Sequence, residues 1–478
     1  MSFNRILRSS ALMGGAQAVT LLTALFRTKL IAILIGPAGI GLMGLLNAFN
    51  ANLWTVGAWG LNLSGVRMIS SAPPEQRKTK EVAVRAMGRG LTFAGLILLI
   101  LAVVPVGYMT FGSHEYSPLL FISGLAAPCM ITSTASSVLL QSAGHIGSLA
   151  RAQVTSGVIG FLLGIPAIYF FGELGIGISI LLASAASAYA TWKAARAYCP
   201  SGEAKANPDD IRELIKLGFA LQLGGMLANA SYYLTRILII KHYPGDMQAG
   251  LDAAGYYQAA FALAGLMPGF IFSAMGAEFF PQVSAAASEH DARIITERQI
   301  RACLLLALPM LMAILTAGDW IMSLLYAQSF GKAVPLLPWF VWGIYGTLLS
   351  WPIVYWMMAR GKKRNVIFIQ TTAAILIGLT AAVLVPCFGI MGAAIGFCVS
   401  NTIYLCVMVV YARRQAGMWI SNRTLRWFLF SGVSLGLGQL LDGLVSTVFL
   451  KLAPAFISTL ICGAIYFKVM RSSEGKSQ

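Results

Sequence analysis

Hydrophobic residues fall along this chain in long blocks rather than in alternation. Apolar stretches run near 10–35, 39–64, 86–110, 118–140, 150–171 and 175–196. After a polar break they resume near 216–241, 253–284, 299–325, 334–358, 366–386 and 390–411, with two more near 425–441 and 445–468. A block of about 20 residues spans a ~30 Å hydrocarbon core as a helix, which satisfies every backbone N–H and C=O within its own segment. An outer-membrane barrel is excluded, because its strands are only about 10 alternating residues long. The pattern therefore predicts an all-α polytopic membrane protein of about 14 transmembrane helices.

Internal repetition organises these helices. Phe111-Gly112-Ser113-His114-Glu115-Tyr116 resembles Tyr326-Ala327-Gln328-Ser329-Phe330, and Gln141-Ser142-Ala143-Gly144 answers Met358-Ala359-Arg360-Gly361. Gly172 and Gly175 answer Gly389 and Gly392, and Gly14-Gly15 answers Gly224-Gly225. A slowly drifting offset is what a duplicated unit with small loop insertions leaves behind. Six helices per unit is an even number, so both units share one membrane orientation, with a pseudo-two-fold axis along the bilayer normal and a central cavity between them. The expected domains are an N-lobe (1–197), a cytoplasmic linker (198–212) around Pro200–Asp210, a C-lobe (213–412) and a C-terminal helix pair (413–478) outside the repeat.

Composition agrees: 58% of residues are hydrophobic and 11% charged, against about 25% charged in soluble domains. Met1–Arg8 is short and basic like the opening of a signal peptide. No small-residue cleavage site follows, so it reads as part of a retained first helix. The net charge of +17 would suit nucleic acid if it were clustered, but 27 of the 34 Lys and Arg residues fall at the termini or in alternate short loops. Basic loops mark the cytoplasmic face, which places both termini in the cytoplasm. Seven cysteines without CxxC spacing and four scattered histidines give no disulfide or metal pattern. No P-loop or HExxH motif occurs, so neither an enzyme nor a cofactor is expected.

Polar side chains within the apolar blocks are the functional candidates. Arg27 in the first helix and Arg236 in the seventh are 209 residues apart and match across the repeat. An intramembrane cation costs roughly 2.5–3.5 kcal/mol on insertion scales and so tends to face a cavity, a partner or an anion. Two readings stay open for the pair: cavity groups gripping an anion, or interfacial anchors. Lys29 and Arg67 share that choice, Arg67 either as a topological charge or as an attractor at the cavity mouth. Asn47, Gln222, Asn229 and Gln258 lie in helices one would turn toward the cavity, where amides either bind sugar hydroxyls or stitch helices together. Glu278, in an apolar run before Pro281, is read as a salt-bridge partner, a proton-coupling group or a helix-end residue.

Some of these residues resemble a known family. Gly36-Pro37-Ala38-Gly39-Ile40-Gly41 looks like the turn between the first two helices of Wzx-type O-antigen and enterobacterial-common-antigen flippases, members of the multidrug/oligosaccharidyl-lipid/polysaccharide exporter superfamily. Ala254-Gly255-Tyr256-Tyr257-Gln258 resembles the matching turn of the second lobe. Ala277-Glu278-Phe279-Phe280-Pro281-Gln282-Val283-Ser284 is similar to a further family stretch, with Gln282 in place of its arginine. The resemblance covers about residues 5–412. It implies translocation of an undecaprenyl-diphosphate-linked oligosaccharide from the inner to the outer leaflet of the bacterial cytoplasmic membrane. It also implies cavity cations, carried here by Arg27 and Arg236, and partnership with membrane lipids and other polysaccharide-assembly proteins.

Two transporter alternatives remain: a drug or small-molecule antiporter of the same superfamily, and a lipid-linked peptidoglycan-precursor flippase. An antiporter for cations would be expected to carry cavity carboxylates, whereas these helices are richer in cations. A membrane glycosyltransferase or polymerase would need a large outer loop, and the outer loops here are short.

Overall fold

The computed structural model describes residues 3–199, 206–360, 363–416 and 420–442, with single positions at 454 and 458. Helices follow in the order α1 (Phe3–Leu34), α2 (Gly36–Gly57), α3 (Leu61–Ser71), α4 (Arg77–Phe111), α5 (Ser117–Gly124), α6 (Ala126–Ser142) and α7 (Ile146–Tyr198). Next come α8 (Pro208–His242), α9 (Met247–Ala285), α10 (Glu289–Leu325), a 3₁₀ segment (Gln328–Leu336), α11 (Leu337–Ala359), α12 (Lys363–Ala416) and α13 (Asn422–Asp442). Among the described residues there is no strand, and six segments are long and apolar enough to cross a bilayer by length and composition. The chain is an all-α polytopic membrane protein. Of the span expected near 445–468, only positions 454 and 458 are among the described residues.

Two of the longest helices are helical hairpins. In α7 the backbone reverses at Gly172 (φ 55°, ψ −124°), separating limbs 146–171 and 173–198. In α12 it reverses at Gly389 (φ 56°, ψ −135°). Both glycines occupy a positive-φ conformation that a Cβ disfavours. The limbs close tightly: a Cβ on Gly175 would stand 2.1 Å from the Ala167 carbonyl oxygen, and one on Gly392 would stand 2.0 Å from that of Leu384. The four glycines that signalled the repeat thus perform the same task in each half.

One predicted span is not continuous. The stretch near 39–64 breaks between α2 and α3 at Trp59 and Gly60, both with positive φ (47° and 71°). The cause is backbone approach, since a Cβ on Gly60 would lie 2.3 Å from the Gly218 carbonyl oxygen of α8. Trp59 stacks on Phe219 with ring centroids 5.3 Å apart, and its indole donates to the Ile215 carbonyl at 3.2 Å. These contacts hold Trp59 in a conformation that is rare for a bulky residue.

Several helices outrun their apolar blocks. α8 starts at Pro208, where the Asn207 side chain accepts from the Asp209 N–H at 3.1 Å. Asp209 and Asp210 lie in its first turn, where negative charge is favoured by the helix dipole. Asp210 also pairs with Lys80 of α4 at 2.6 Å. α10 likewise begins at Glu289 behind a Ser288 cap. Polar helix ends of this kind leave no hydropathy signal.

The chain divides into two compact units, Met1–Gly255 and Tyr256–Gln478. The repeat assigns α8 to the second lobe, whereas its contacts are with α2, α3 and α4 of the first unit. The first unit buries Leu61, Val84, Met87, Val138, Leu139 and Leu214 in one apolar cluster. In the second unit, Tyr257 and Phe261 pack with Phe340 and Phe397 at centroid distances of 5.3–5.9 Å. α13 docks on α10 through Glu297, which accepts from the Ser421 N–H at 3.0 Å and the Thr424 hydroxyl at 3.3 Å.

Candidate functional site

Helical periodicity builds a polar pocket in the first unit. Thr20, Thr23, Ala24 and Arg27 recur at spacings of three, four and seven on one face of α1. Gln153, Ser156, Gly157 and Gly160 do so on the first limb of α7, and Ala183 and Ser187 on the second. These faces, with Phe161, line an open pocket of about 340 Å³. The volume lies at the low end of small-molecule sites, roughly 300–1,000 Å³.

Small residues and local hydrogen bonds shape the walls. Gly157 faces α1, because a Cβ there would meet the Thr23 and Thr20 hydroxyl oxygens at 3.6–3.7 Å and the Thr20 Cα at 3.9 Å. Gly160 brings the two α7 limbs together, since its Cβ would stand 2.7 Å from that of Ala183. The Thr23 hydroxyl donates to its own helix at Val19 and Thr20 (3.1 and 2.9 Å), and Ser156 donates to the Gln153 carbonyl at 2.9 Å. Ser187 shares a hydrogen bond with Ser133 of α6 at 3.0 Å. Lone pairs of these hydroxyl oxygens remain available as acceptors.

Arg27 brings the charge. Its Nε is buried without a hydrogen-bond partner among the described residues, and no Asp or Glu is among the residues that line the pocket. The pocket sits near the middle of both α7 limbs, where an uncompensated guanidinium is costly unless an anion joins it. Guanidinium forks suit phosphate and carboxylate oxygens.

The other expected site residues are dispersed. Arg236 is buried on α8 (7% exposed) and donates to the Tyr232 carbonyl at 2.8 Å; it does not line the Arg27 pocket. Lys29 is half-buried on α1, while Arg67 on α3 and Asn47 on α2 are exposed. Gln222 on α8 and Gln258 on α9 are half-buried. Asn229 stitches helices: its side-chain amide donates to the Thr55 hydroxyl at 2.8 Å, and its backbone carbonyl accepts from the Asn52 side chain at 3.2 Å. Glu278 lies on α9, but its side chain is outside the described residues. Asn50, 2% exposed, has both amide atoms buried without a hydrogen bond among the described residues.

Sequence reasoning missed Thr20, Thr23, Gln153, Ser156 and Ser187. Their only signal is the i, i+3 and i, i+4 spacing of weakly polar residues. Such residues are common in packed membrane helices, so the spacing does not single out a site.

A sequence model for the family described as "Polysaccharide biosynthesis protein" matches residues 6–287. The "Lipid III flippase" of Escherichia coli (strain K12) is 22% identical over 408 residues, covering 81% of this chain and 94% of that protein. The protein of the same name in Shigella flexneri matches with the same figures. Among solved structures, the lipid II flippase MurJ in an inward closed conformation aligns with a TM-score of 0.76 at 14% identity, over 96% of this chain and 99% of that one. An inward-facing multidrug resistance MATE family transporter of the MOP superfamily gives 0.66 at 13% identity, over 85% and 98%.

Proposed function

Because this chain belongs to the polysaccharide biosynthesis protein family, we propose that it is a flippase for a lipid-linked saccharide precursor. In this reading it works by alternating access in the bacterial cytoplasmic membrane, moving its cargo from the inner to the outer leaflet. The observation that carries it is the Arg27 pocket, a mid-depth polar cavity with one cation and no carboxylate among its lining residues. A diphosphate linkage is the anion that this cation would hold, while the prenyl tail stays in lipid. Arg236 is the second candidate cation, buried on α8. The protein breaks no covalent bond in this scheme and needs no cofactor. Both termini lie in the cytoplasm, as the basic loops suggest.

An O-antigen unit was the first substrate suggested by the sequence. The relatives' names, lipid III flippase and lipid II flippase, favour the alternative, a precursor flippase nearer to those types. A drug antiporter is supported by fold likeness alone.

The test is leaflet translocation of a fluorescent prenyl-diphosphate-linked saccharide in proteoliposomes. Arg27→Ala is expected to lower the rate at least ten-fold and Arg27→Lys less so, because an ammonium lacks the planar fork. Wild-type rates in Arg27→Ala protein that is properly folded would overturn the reading.

A further inference from the structure

We propose that the joint between α10 and α13 binds the phosphate of an anionic glycerophospholipid from the inner leaflet, held by Arg298, Arg301 and Arg423. The site lies within the second unit and does not depend on the cargo. The joint gathers more positive charge than it neutralises. Glu297 is the carboxylate that α10 sends into it, and its oxygens are already occupied. They accept from the Ser421 N–H at 3.0 Å, from the Ser421 and Thr424 hydroxyls, and from Arg293 at 3.3 Å. Arg301 approaches Glu297 only to 3.8 Å, and its Nη1 donates to the Thr424 hydroxyl at 3.2 Å. Arg423 repels Arg301 more strongly than Glu297 attracts it, and Arg298 adds to the repulsion. Arg298 and Arg423 are exposed and have no ion-pair partner among the described residues. Of the other acids at this end of α10, Glu289 pairs with Arg360 and Asp291 accepts from Ser288.

Helix geometry adds to the imbalance. Arg423 stands in the first turn of α13, which contains no acidic residue. A cation there opposes the positive end of the helix dipole, whereas an anion is favoured. Arg298 and Arg301 are three residues apart on α10, so their side chains are neighbours on its surface. Guanidinium donors from both helices therefore meet beside Arg301, and a phosphate offers an oxygen to each. The surface further along α13 identifies the source of that phosphate. Arg423, Trp427 and Phe430 recur at spacings of four and three on one face. Trp427 packs edge-on against Phe430 at 6.0 Å, and Phe430 is 50% exposed. A cation followed by aromatic and then apolar surface is the profile that meets a headgroup and the acyl chains behind it. A soluble phosphate would use only the first part.

Photolabelling of the full-length protein in phosphatidylcholine nanodiscs tests this. The probe is a phosphatidylglycerol with a diazirine next to its headgroup, and the control is a phosphatidylcholine carrying the same group. Adducts on peptides containing 298–301 and 421–427 should be at least ten-fold more abundant with the phosphatidylglycerol probe. Arg423→Gln and Arg298→Gln should each lower that yield at least three-fold. Both residues are exposed, so the fold tolerates either change. Lys193→Gln, which removes an exposed cation of α7, should leave the yield unchanged. Equal labelling by the two probes, or full labelling in both arginine variants, overturns the site. An equal loss in Lys193→Gln would mean diffuse surface charge and overturns it as well. Unlabelled phosphatidylglycerol should displace the probe, whereas millimolar glycerol phosphate should not. Displacement by both to the same extent overturns the lipid as the source of the phosphate.

Discussion

Gly41 of α2 and Gly255 of α9 make the same approach in opposite directions. A Cβ on Gly41 would stand 2.1 Å from the Leu251 carbonyl oxygen, and one on Gly255 would stand 2.0 Å from that of Pro37. Pro37 to Leu251 and Gly41 to Gly255 are both steps of 214 residues, so the crossing joins repeat-related positions reciprocally. Glycine is required on both helices because backbone meets backbone, and neither wall can move aside.

Alanine at either position should therefore destabilise the protein by about 1–3 kcal/mol, the usual range for overpacking. The measurement is the melting temperature in detergent, compared with Gly90→Ala. Gly90 has nothing within 4 Å of its missing Cβ, so its replacement should be neutral or slightly stabilising. Equal melting temperatures for all three variants would contradict the crossing.

Gly172→Ala and Gly389→Ala should carry matching penalties of roughly 1–2 kcal/mol each, from the left-handed backbone alone. Neither missing Cβ meets an atom within 4 Å, so steric crowding does not contribute. Unfolding the two variants in parallel checks the repeat: unlike penalties would mean that the hairpins differ in constraint despite similar dihedrals.

Glu297 is 7% exposed and gathers Ser421, Thr424 and the flanking Arg293, whose Nε lies 3.3 Å away. Glu297→Ala strands several donors at once, and a loss of about 1–3 kcal/mol is expected. Loss of disulfide trapping between cysteine pairs placed on α10 and α13 would report undocking. Persistent trapping at wild-type rates would show that apolar packing alone holds α13.

The Cys199 thiol is pushed up from its ordinary pKa, first by burial and then by Glu81, with Arg85 opposing. A raised pKa keeps the thiol protonated to higher pH, so alkylation at pH 8 should be several-fold slower than for an exposed cysteine. Removing the other six cysteines isolates the signal. Reactivity should rise as pH climbs through the shifted value and not before; fast labelling at pH 8 would refute the burial argument.

Hydropathy was enough to read the all-α class, because a membrane helix must be apolar over its own contiguous length. Gly172 and Gly389 were legible for the same reason: a reversal needs its glycine where it occurs. The break at Trp59 was not, because its cause is the Gly218 backbone, far away in sequence. Nor did sequence decide the amides, which it left equally suited to cargo and to packing; Asn229 is committed to Thr55 only once α2 and α8 are side by side. Arg27 was visible as a charge in an apolar block, but its surroundings were not. Gln153, Ser156 and Ser187 join it because two limbs of one hairpin fold back onto α1. Local chemistry thus determined what each segment is, whereas the meeting of helix faces from distant segments decided which polar side chains share a cavity.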